Sequence, residues 1–316
     1  MSVAVVGALT VDDIVTSDGE LHQQVAGGNA LYAAFGAALW TSDVRLVTVA
    51  GVGWPLESAG WLTERGVDVD GLLHSPGLTV RLWILYDPDG TRQIVYKRRS
   101  GSLRDLQPLV APSMAELLAG SSGVGWLHVA ALPVAVQTAL LAGATPAEPR
   151  ITLDSLEAVG SVGGDLPAYW DSPLLSSVTV FLPSHEELEL ITSSRPGSPL
   201  QAMCQAHASL RQLVVKSGAD GAVVHDVQRR ERVRVPVFPT TMRDPTGAGD
   251  VFCGAFLAGM DSTGDAVEAA VRGSASASCV VEGVGAEGLR AVTSAGLQQR
   301  ADAVRARLER SPWPAA

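Results

Sequence analysis

The sequence predicts an α/β fold on a largely parallel sheet, and three observations carry that prediction. Short apolar runs alternate with Ala- and Leu-rich helical stretches, the pattern of βαβ units. The chain has 316 residues, enough for a sizeable core in one large domain or two small ones. Near residues 78–98 two β-branched, aromatic runs break the rhythm. In order, Val3–Gly7 reads as the first strand and Ala30–Trp40 as a helix entered through Gly27 and Gly28. Arg45–Val49 reads as a strand, Pro55–Arg65 as a helix, Gly125–Ala130 as a strand and Pro133–Ala142 as a helix. Arg150–Leu153 is the next strand, and Val178–Leu182 leads into a helix at Ser184–Ile191. Leu213–Lys216 and Gly221–His225 read as a strand pair turned by Ser217-Gly218-Ala219-Asp220-Gly221. Helices follow at Gly249–Met260 and Asp265–Cys279, with a charged closing helix near Leu289–Arg310. The odd segment, Leu78–Tyr86 and Arg92–Arg98 around Asp87-Pro88-Asp89-Gly90, has the chemistry of a β-hairpin. A hairpin inserted in an α/β chain must lie off the main sheet. With Asp12–Thr16 and Leu21–Val25 it forms a small side sheet, a lid. The expected organisation is one domain over 1–316, with lid segments at about 12–25 and 78–99.

Composition narrows the function. The net charge of −10 and the pI near 5.0 argue against a nucleic-acid binder, because phosphate binding needs a basic face. Mean hydropathy is only +0.21, and the apolar stretches are broken within about a dozen residues, short of a bilayer span. Met1-Ser2-Val3-Ala4-Val5-Val6 enters a strand-like run without a basic n-region or a small-residue cleavage site. Neither a membrane nor a secreted protein is expected, and the expected location is the cytoplasm. Cys204, Cys253 and Cys279 are odd in number and lack CxxC spacing, which suits neither a disulfide scaffold nor a zinc site. The six histidines show no i, i+4 pairing for a metal site or triad. The basic residues are nearly all Arg, the only lysines being Lys97 and Lys216, and Asn29 is the only asparagine. A GC-rich coding bias accounts for that skew.

The strongest chemical signal is Asp244-Pro245-Thr246-Gly247-Ala248-Gly249-Asp250. Apolar residues recur after Asp250 at helical spacing, so a glycine-rich turn feeds a helix N-terminus. Unpaired N–H groups and the helix dipole make an anion site there, and glycines let a phosphate approach the backbone. The dipole favours an ionised Asp250 near pH 7. An ionised carboxylate beside an anion hole is what phosphoryl transfer to a hydroxyl requires: the N–H groups stabilise the moving charge and the carboxylate accepts the proton. A capped helix with glycines for tight packing is the plain structural alternative.

These residues resemble the C-terminal signature of the ribokinase-like (PfkB) carbohydrate kinase family. Further matches follow the family's order: Gly7 to Asp12, the di-glycine Gly27-Gly28-Asn29, Leu182-Pro183-Ser184-His185-Glu186-Glu187, and Lys216-Ser217-Gly218-Ala219-Asp220-Gly221. Together they span residues 3 to about 290. The resemblance implies a three-layer α/β/α sandwich with a small β lid, ATP as phosphate donor, Mg²⁺ as cofactor and K⁺ as a further cation. It implies Asp250 as catalytic base, with Gly247, Ala248 and Gly249 as the anion hole. It implies Asp12 as the carboxylate that holds substrate hydroxyls, with Gly28 and Asn29 beside it; Asn29 also suits a helix N-cap. Glu187 matches the glutamate that organises magnesium waters. Ser184, Lys216, Ser217, Gly218, Gly221 and Thr246 match nucleotide-side positions, and Asp244 matches a monovalent-cation position to which Thr246 and Gly285 add carbonyls.

The chain departs from the family at several points. Ser184 stands where the family has asparagine, Trp54-Pro55 where an Asp is usual, and Ser100-Gly101-Ser102 where a Gly-Ala-Asn-like trio closes the lid. Strand alternation puts Arg81 and Trp83 on one face. Turned to the substrate, they form a stacking ring and an anion fork, suiting a phosphorylated sugar or a nucleoside. The alternative is a solvated surface or a dimer contact through the lid. Gly283-Val284-Gly285-Ala286-Glu287-Gly288 fits G-x-G-x-x-G but follows a helical stretch, against a dinucleotide site. The expected activity is ATP-dependent phosphorylation of a small polyol: a sugar, inositol or nucleoside. A phosphosugar kinase and a catalytically idle ligand sensor are the rival readings.

Overall fold

The computed structural model describes residues 2–88, 91–119, 123–144, 149–156, 166–193 and 209–313, with Leu200, Met203, Ala206 and His207 between. The strands are β1 (Ser2–Val6), β2 (Thr10–Val15), β3 (Leu21–Gly27), β4 (Val44–Val52), β5 (Val67–Leu78), β6 (Val80–Tyr86), β7 (Arg92–Tyr96), β8 (Val124–Val129), β9 (Arg150–Leu153), β10 (Val180–Phe181), β11 (Gln212–Lys216), β12 (Ala222–Asp226), β13 (Glu231–Val235) and β14 (Glu309–Pro312). The helices are α1 (Asn29–Ala38), α2 (Glu57–Thr63), α3 (Leu106–Leu118), α4 (Val134–Leu140), α5 (Ala168–Asp171), α6 (His185–Thr192), α7 (Ala248–Thr263), α8 (Ala266–Val280), α9 (Glu287–Arg290) and α10 (Ser294–Arg305).

Ten strands form the main sheet in the order β14-β13-β12-β11-β10-β9-β8-β1-β4-β5. From β5 to β11 every pairing is parallel, and β11 to β14 are antiparallel. β1 lies inside, paired with β4 and β8, so both its faces must be apolar. Val3 and Val5 join one core with α1, α7 and α8, while Ala4 and Val6 join the other with α3, α4 and α6. The result is the α/β/α sandwich. Trp54, where the family pattern has an acid, is a buried member of the first core.

The four remaining strands form a separate sheet in the order β3-β2-β6-β7, joining the two segments expected to meet there. Residues 89 and 90 of the Asp87–Gly90 turn lie outside the described residues. Ile14, Ile84 and Tyr86 on one face of this sheet pack against Val284 of the body. Among the described residues no helix is long and apolar enough to cross a membrane.

Candidate active site

The parallel strands end on one side of the sheet, and their C-terminal ends deliver the polar groups. After β1 the chain turns into β2, where Asp12 is buried. Burial raises its carboxyl to about 7, helped by the charges of Asp244 and Asp13. β3 returns beside it through Gly27 and Gly28. A Cβ on Gly27 would stand 2.0 Å from Asp12 Oδ2, so only glycine lets that carboxylate lie against the backbone. Gly28 has φ +107 and is the N-cap of α1. That place was expected for Asn29, whose side chain does other work. Its Oδ1 accepts from the Ala8 amide at 2.8 Å, and its Nδ2 donates to the Ala131 carbonyl at 2.5 Å. The amide stitches the exits of β1 and β8 together, which is the physical reason for asparagine there.

Asp250 lies in the first turn of the 16-residue helix α7. Burial pushes its carboxyl up to about 6, opposed by Lys216 and Arg92 and assisted by Glu187. At pH 7 the carboxylate is therefore still the major form. Gly247 caps the helix at φ +78, and its missing side chain makes room for the Tyr32 ring, 2.5 Å from the Cβ position. The Gly249 amide opens the helix from that turn, whereas the Ala248 amide, expected in the anion hole, donates to the Pro245 carbonyl at 3.2 Å. Asp244, fully buried, holds the turn from behind: its two oxygens accept the Thr246 and Gly285 amides, each at 2.9 Å. Those bonds assign the expected cation ligand a structural task. Among the described residues no group of three or more His, Cys, Asp or Glu is placed to hold a metal ion. The Thr246 hydroxyl, expected on the nucleotide side, meets the Tyr86 hydroxyl of the smaller sheet at 2.9 Å.

Two charged clusters complete the floor. The Lys216 ammonium, at the end of β11, bonds both Asp154 oxygens at 2.6 and 2.7 Å. Burial works against that ammonium, but Asp154 outweighs it and raises the amine above its ordinary range. The same ammonium lies 3.7 Å from where a Gly249 Cβ would stand, directly under the glycine turn. Cys253 Sγ completes the cluster, 3.6 Å from Lys216 Nζ and 3.5 Å from Asp154 Oδ2. Beyond β10, Ser184 and Glu187 form a capping box: Ser184 Oγ accepts the Glu187 amide at 3.1 Å, and Glu187 Oε2 accepts the Ser184 amide at 2.7 Å. Ser155 donates to the same oxygen at 2.7 Å. Glu187 is buried, not the helix-surface acid its sequence position alone suggests, and burial raises its pKa.

A cavity of about 310 Å³ opens beside the glycine turn, lined by Lys216, Gly218, Gly221, Ala248, Gly249 and Phe252 among others. Val237, Phe238, Pro239 and Val281 give it apolar walls, suited to a flat ring. Gly221 permits it: at φ +89, a Cβ there would meet the Val235 carbonyl at 2.2 Å. Ser217, expected among the nucleotide residues, does not line the cavity.

Arg81 and Trp83 share a face, as alternation requires, but it is the wrong face. β2 and β6 run in register, Val11 beside Arg81, Asp12 beside Leu82 and Asp13 beside Trp83. Asp12 therefore shares its side with Leu82, while Arg81 and Trp83 stand opposite with Asp13. There Lys97 lies 4.6 Å from the Trp83 ring centre and 2.5 Å from Asp13 Oδ2. Alternation fixes which residues share a face; the packing of Ile84 and Tyr86 on the body decides which face turns inward.

Sequence reasoning missed Tyr32, Tyr86 and Asp154. Asp154 follows a correctly expected strand, and an acid at a strand's C-terminal end was the available signal. No local pattern marks the two tyrosines. A half-buried carboxylate in the first turn of a helix, beside a glycine-rich turn and an apolar cavity, can take a proton from a hydroxyl while the amides hold an anion.

Comparison with known proteins bears on the family and the fold. A family profile described as pfkB family carbohydrate kinase matches residues 2–291. The cytidine kinase of Thermococcus kodakarensis is 26% identical over 285 residues, covering 86% of this chain and 92% of that protein. The Burkholderia thailandensis nucleoside kinase, solved with ADP-inosine, superposes with a TM-score of 0.76 at 16% identity, over 99% of this chain and 98% of that one. The Thermotoga maritima ribokinase gives 0.70 at 20% identity, over 96% and 99%. The solved structures share the fold, and the profile match over nearly the whole sequence shows that this chain belongs to the pfkB family of carbohydrate kinases and is an ATP-dependent kinase.

Proposed function

We propose that this kinase transfers the γ-phosphoryl group of ATP to a hydroxyl of a small polyol (a sugar, inositol or nucleoside), with Asp250 as general base. The observation that carries the reading is a half-buried carboxylate, Asp250, in the first turn of α7 beside the Gly247–Gly249 turn, with its pKa raised to about 6. Asp250 takes the hydroxyl proton as the oxygen attacks in line, and the amides of Gly247 and Gly249 with Lys216 receive the charge on the moving phosphoryl group. Asp12 accepts hydrogen bonds from the acceptor's neighbouring hydroxyls. The base and ribose of ATP fill the apolar cavity along Gly218 and Gly221. Mg²⁺ binds through one or two carboxylates plus waters and phosphate oxygens, a donor set that Glu187 fits through a water. When bound, the ion neutralises phosphate charge. Asp244 serves in this reading as a loop clamp.

The four-stranded sheet acts as a lid within a single kinase domain, excluding water when closed. Its outer face, with Val95 exposed beside Trp83 and Leu21 exposed beside Val15, suits pairing with a second copy. Relatives named as cytidine and nucleoside kinases favour the nucleoside end of the acceptor class. Arg81 stands on the side opposite Asp12 and its guanidinium donates to the Gly53 carbonyl at 3.4 Å, which counts against the phosphosugar reading. The idle-sensor reading rested on Ser184 and Trp54, which serve as a cap and a core residue.

A panel of ribose, myo-inositol, cytidine, inosine and fructose 6-phosphate with ATP and Mg²⁺ tests the proposal. Turnover of at least one neutral polyol is expected, with kcat lowered ~10²-fold or more in Asp250→Asn. Full turnover by that variant would remove Asp250 from the base role.

A further inference from the structure

Tyr32 presents a hydroxyl for which the protein itself has no use. The residue is on α1 and is 2% exposed, yet among the described residues its Oη has no hydrogen-bond partner. A buried polar atom left unsatisfied costs free energy, and in a native protein it calls for an explanation. Packing does not supply one. The ring fills the space under Gly247, where a Cβ would stand 2.5 Å from the ring carbons, and phenylalanine would fill it equally. The hydroxyl carries the anomaly.

Its surroundings say what it faces. Burial raises its pKa well above the ordinary value, and the charges of Asp12, Asp244, Tyr86 and Asp250 raise it further. The phenol therefore stays protonated and lies among the carboxylates assigned above to the acceptor and the base. It does not line the donor cavity, so ATP's base and ribose are not its partners. Asp250, ionised as the base, only accepts hydrogen bonds, and an acceptor molecule beside it brings oxygen lone pairs as well as hydroxyl protons.

We infer that Tyr32 is a substrate-contacting residue that donates its phenolic proton to an oxygen of the cyclic polyol, fixing the ring so that the reacting hydroxyl faces Asp250. The inference rests on the acceptor site proposed above and adds to it the donor that the site otherwise lacks. It makes Tyr32 a determinant of acceptor affinity and not of nucleotide affinity.

The test is Tyr32→Phe, which removes one oxygen and keeps the ring. Without ligand its Tm should equal or exceed that of the unchanged protein, because the lost hydroxyl was unsatisfied. The KM for cytidine, or for whichever of cytidine, inosine, ribose and myo-inositol is turned over fastest, should rise about tenfold, the scale of one hydrogen bond. The KM for ATP should stay within twofold. Calorimetric binding of the same compound without ATP should weaken in parallel. An acceptor KM and affinity within twofold of the original would overturn the inference while leaving the kinase reading intact. So would a Tm lowered by several degrees with both KM values displaced, the mark of a structural role. Acceptor binding that weakens in Tyr32→Phe without turnover in either protein would keep the inference and refute the kinase reading. Failure of the whole panel to bind would refute both.

Discussion

Asp12 couples acceptor chemistry to stability. Its carboxyl rises from 3.8 to about 7 on folding, so the native state holds a proton that the unfolded chain releases. The stability linked to that proton is fully present below pH ~4 and is lost as pH rises through ~7. Asp12→Asn removes the titration. Its stability advantage over the unchanged protein should be small at pH 4.5 and approach ~4 kcal/mol at pH 8, an upper figure from the shift. Urea midpoints at the two pH values measure it, and a gap that does not widen with pH would mean that Asp12 titrates like an exposed acid. Asp250 gives the matching kinetic signature. As a base it must be ionised, so kcat/KM should fall below an apparent pKa of about 6, and a profile flat down to pH 5 would contradict the assignment. Asp250 was legible in the sequence because it follows a glycine-rich turn, and Asp12 through the family resemblance. Tyr32 was not, since nothing local distinguishes an apolar-face tyrosine from one whose hydroxyl meets a ligand.

Among the elements, α6 shows a motif with two physical meanings. Ser184-His185-Glu186-Glu187 was read through the family's metal-linked glutamate, yet its spacing is also that of a capping box, and the structure contains one. Ser184→Ala should cost about 1 kcal/mol of stability by denaturant titration. It should also loosen Glu187, raising the Mg²⁺ concentration needed for half-maximal rate. An unchanged Mg²⁺ requirement would show that the box serves the helix alone. Most βαβ strands and helices were legible from alternation and glycine punctuation, to within a few residues at their ends. Those that escaped have identifiable reasons. β5 carries Gly71 and Pro76, tolerable because it is an edge strand. α3 contains Pro112, which breaks the helical pattern in the sequence, but its apolar face, with Val110, Met114 and Leu117, is buried. β14 is short, exposed and polar, and only its pairing with β13 makes it a strand.

The whole molecule joins a ten-stranded sheet to a four-stranded one, and the contacts between them bear on function. Tyr86 meets Thr246 within the glycine turn, and Arg243 pairs with Glu20 at 3.2 Å, so the smaller sheet is fastened to the donor loop. Its outer face should carry self-association. If lids pair, Val95→Glu should convert a dimer to a monomer in light scattering at unchanged Tm; a chain that is monomeric before substitution would dismiss pairing. Which face turned outward was beyond the sequence, because it depends on packing between distant segments. Cys253, held between Lys216 and Asp154 and raised well above the usual thiol range by burial, has a further consequence. Cys279 is also buried. Alkylating reagents attack the thiolate, so the native protein should shield both sulfurs from iodoacetamide. The rate at which they become labelled then times how often the fold opens, and a ligand held in the cavity beside Phe252 should slow that clock.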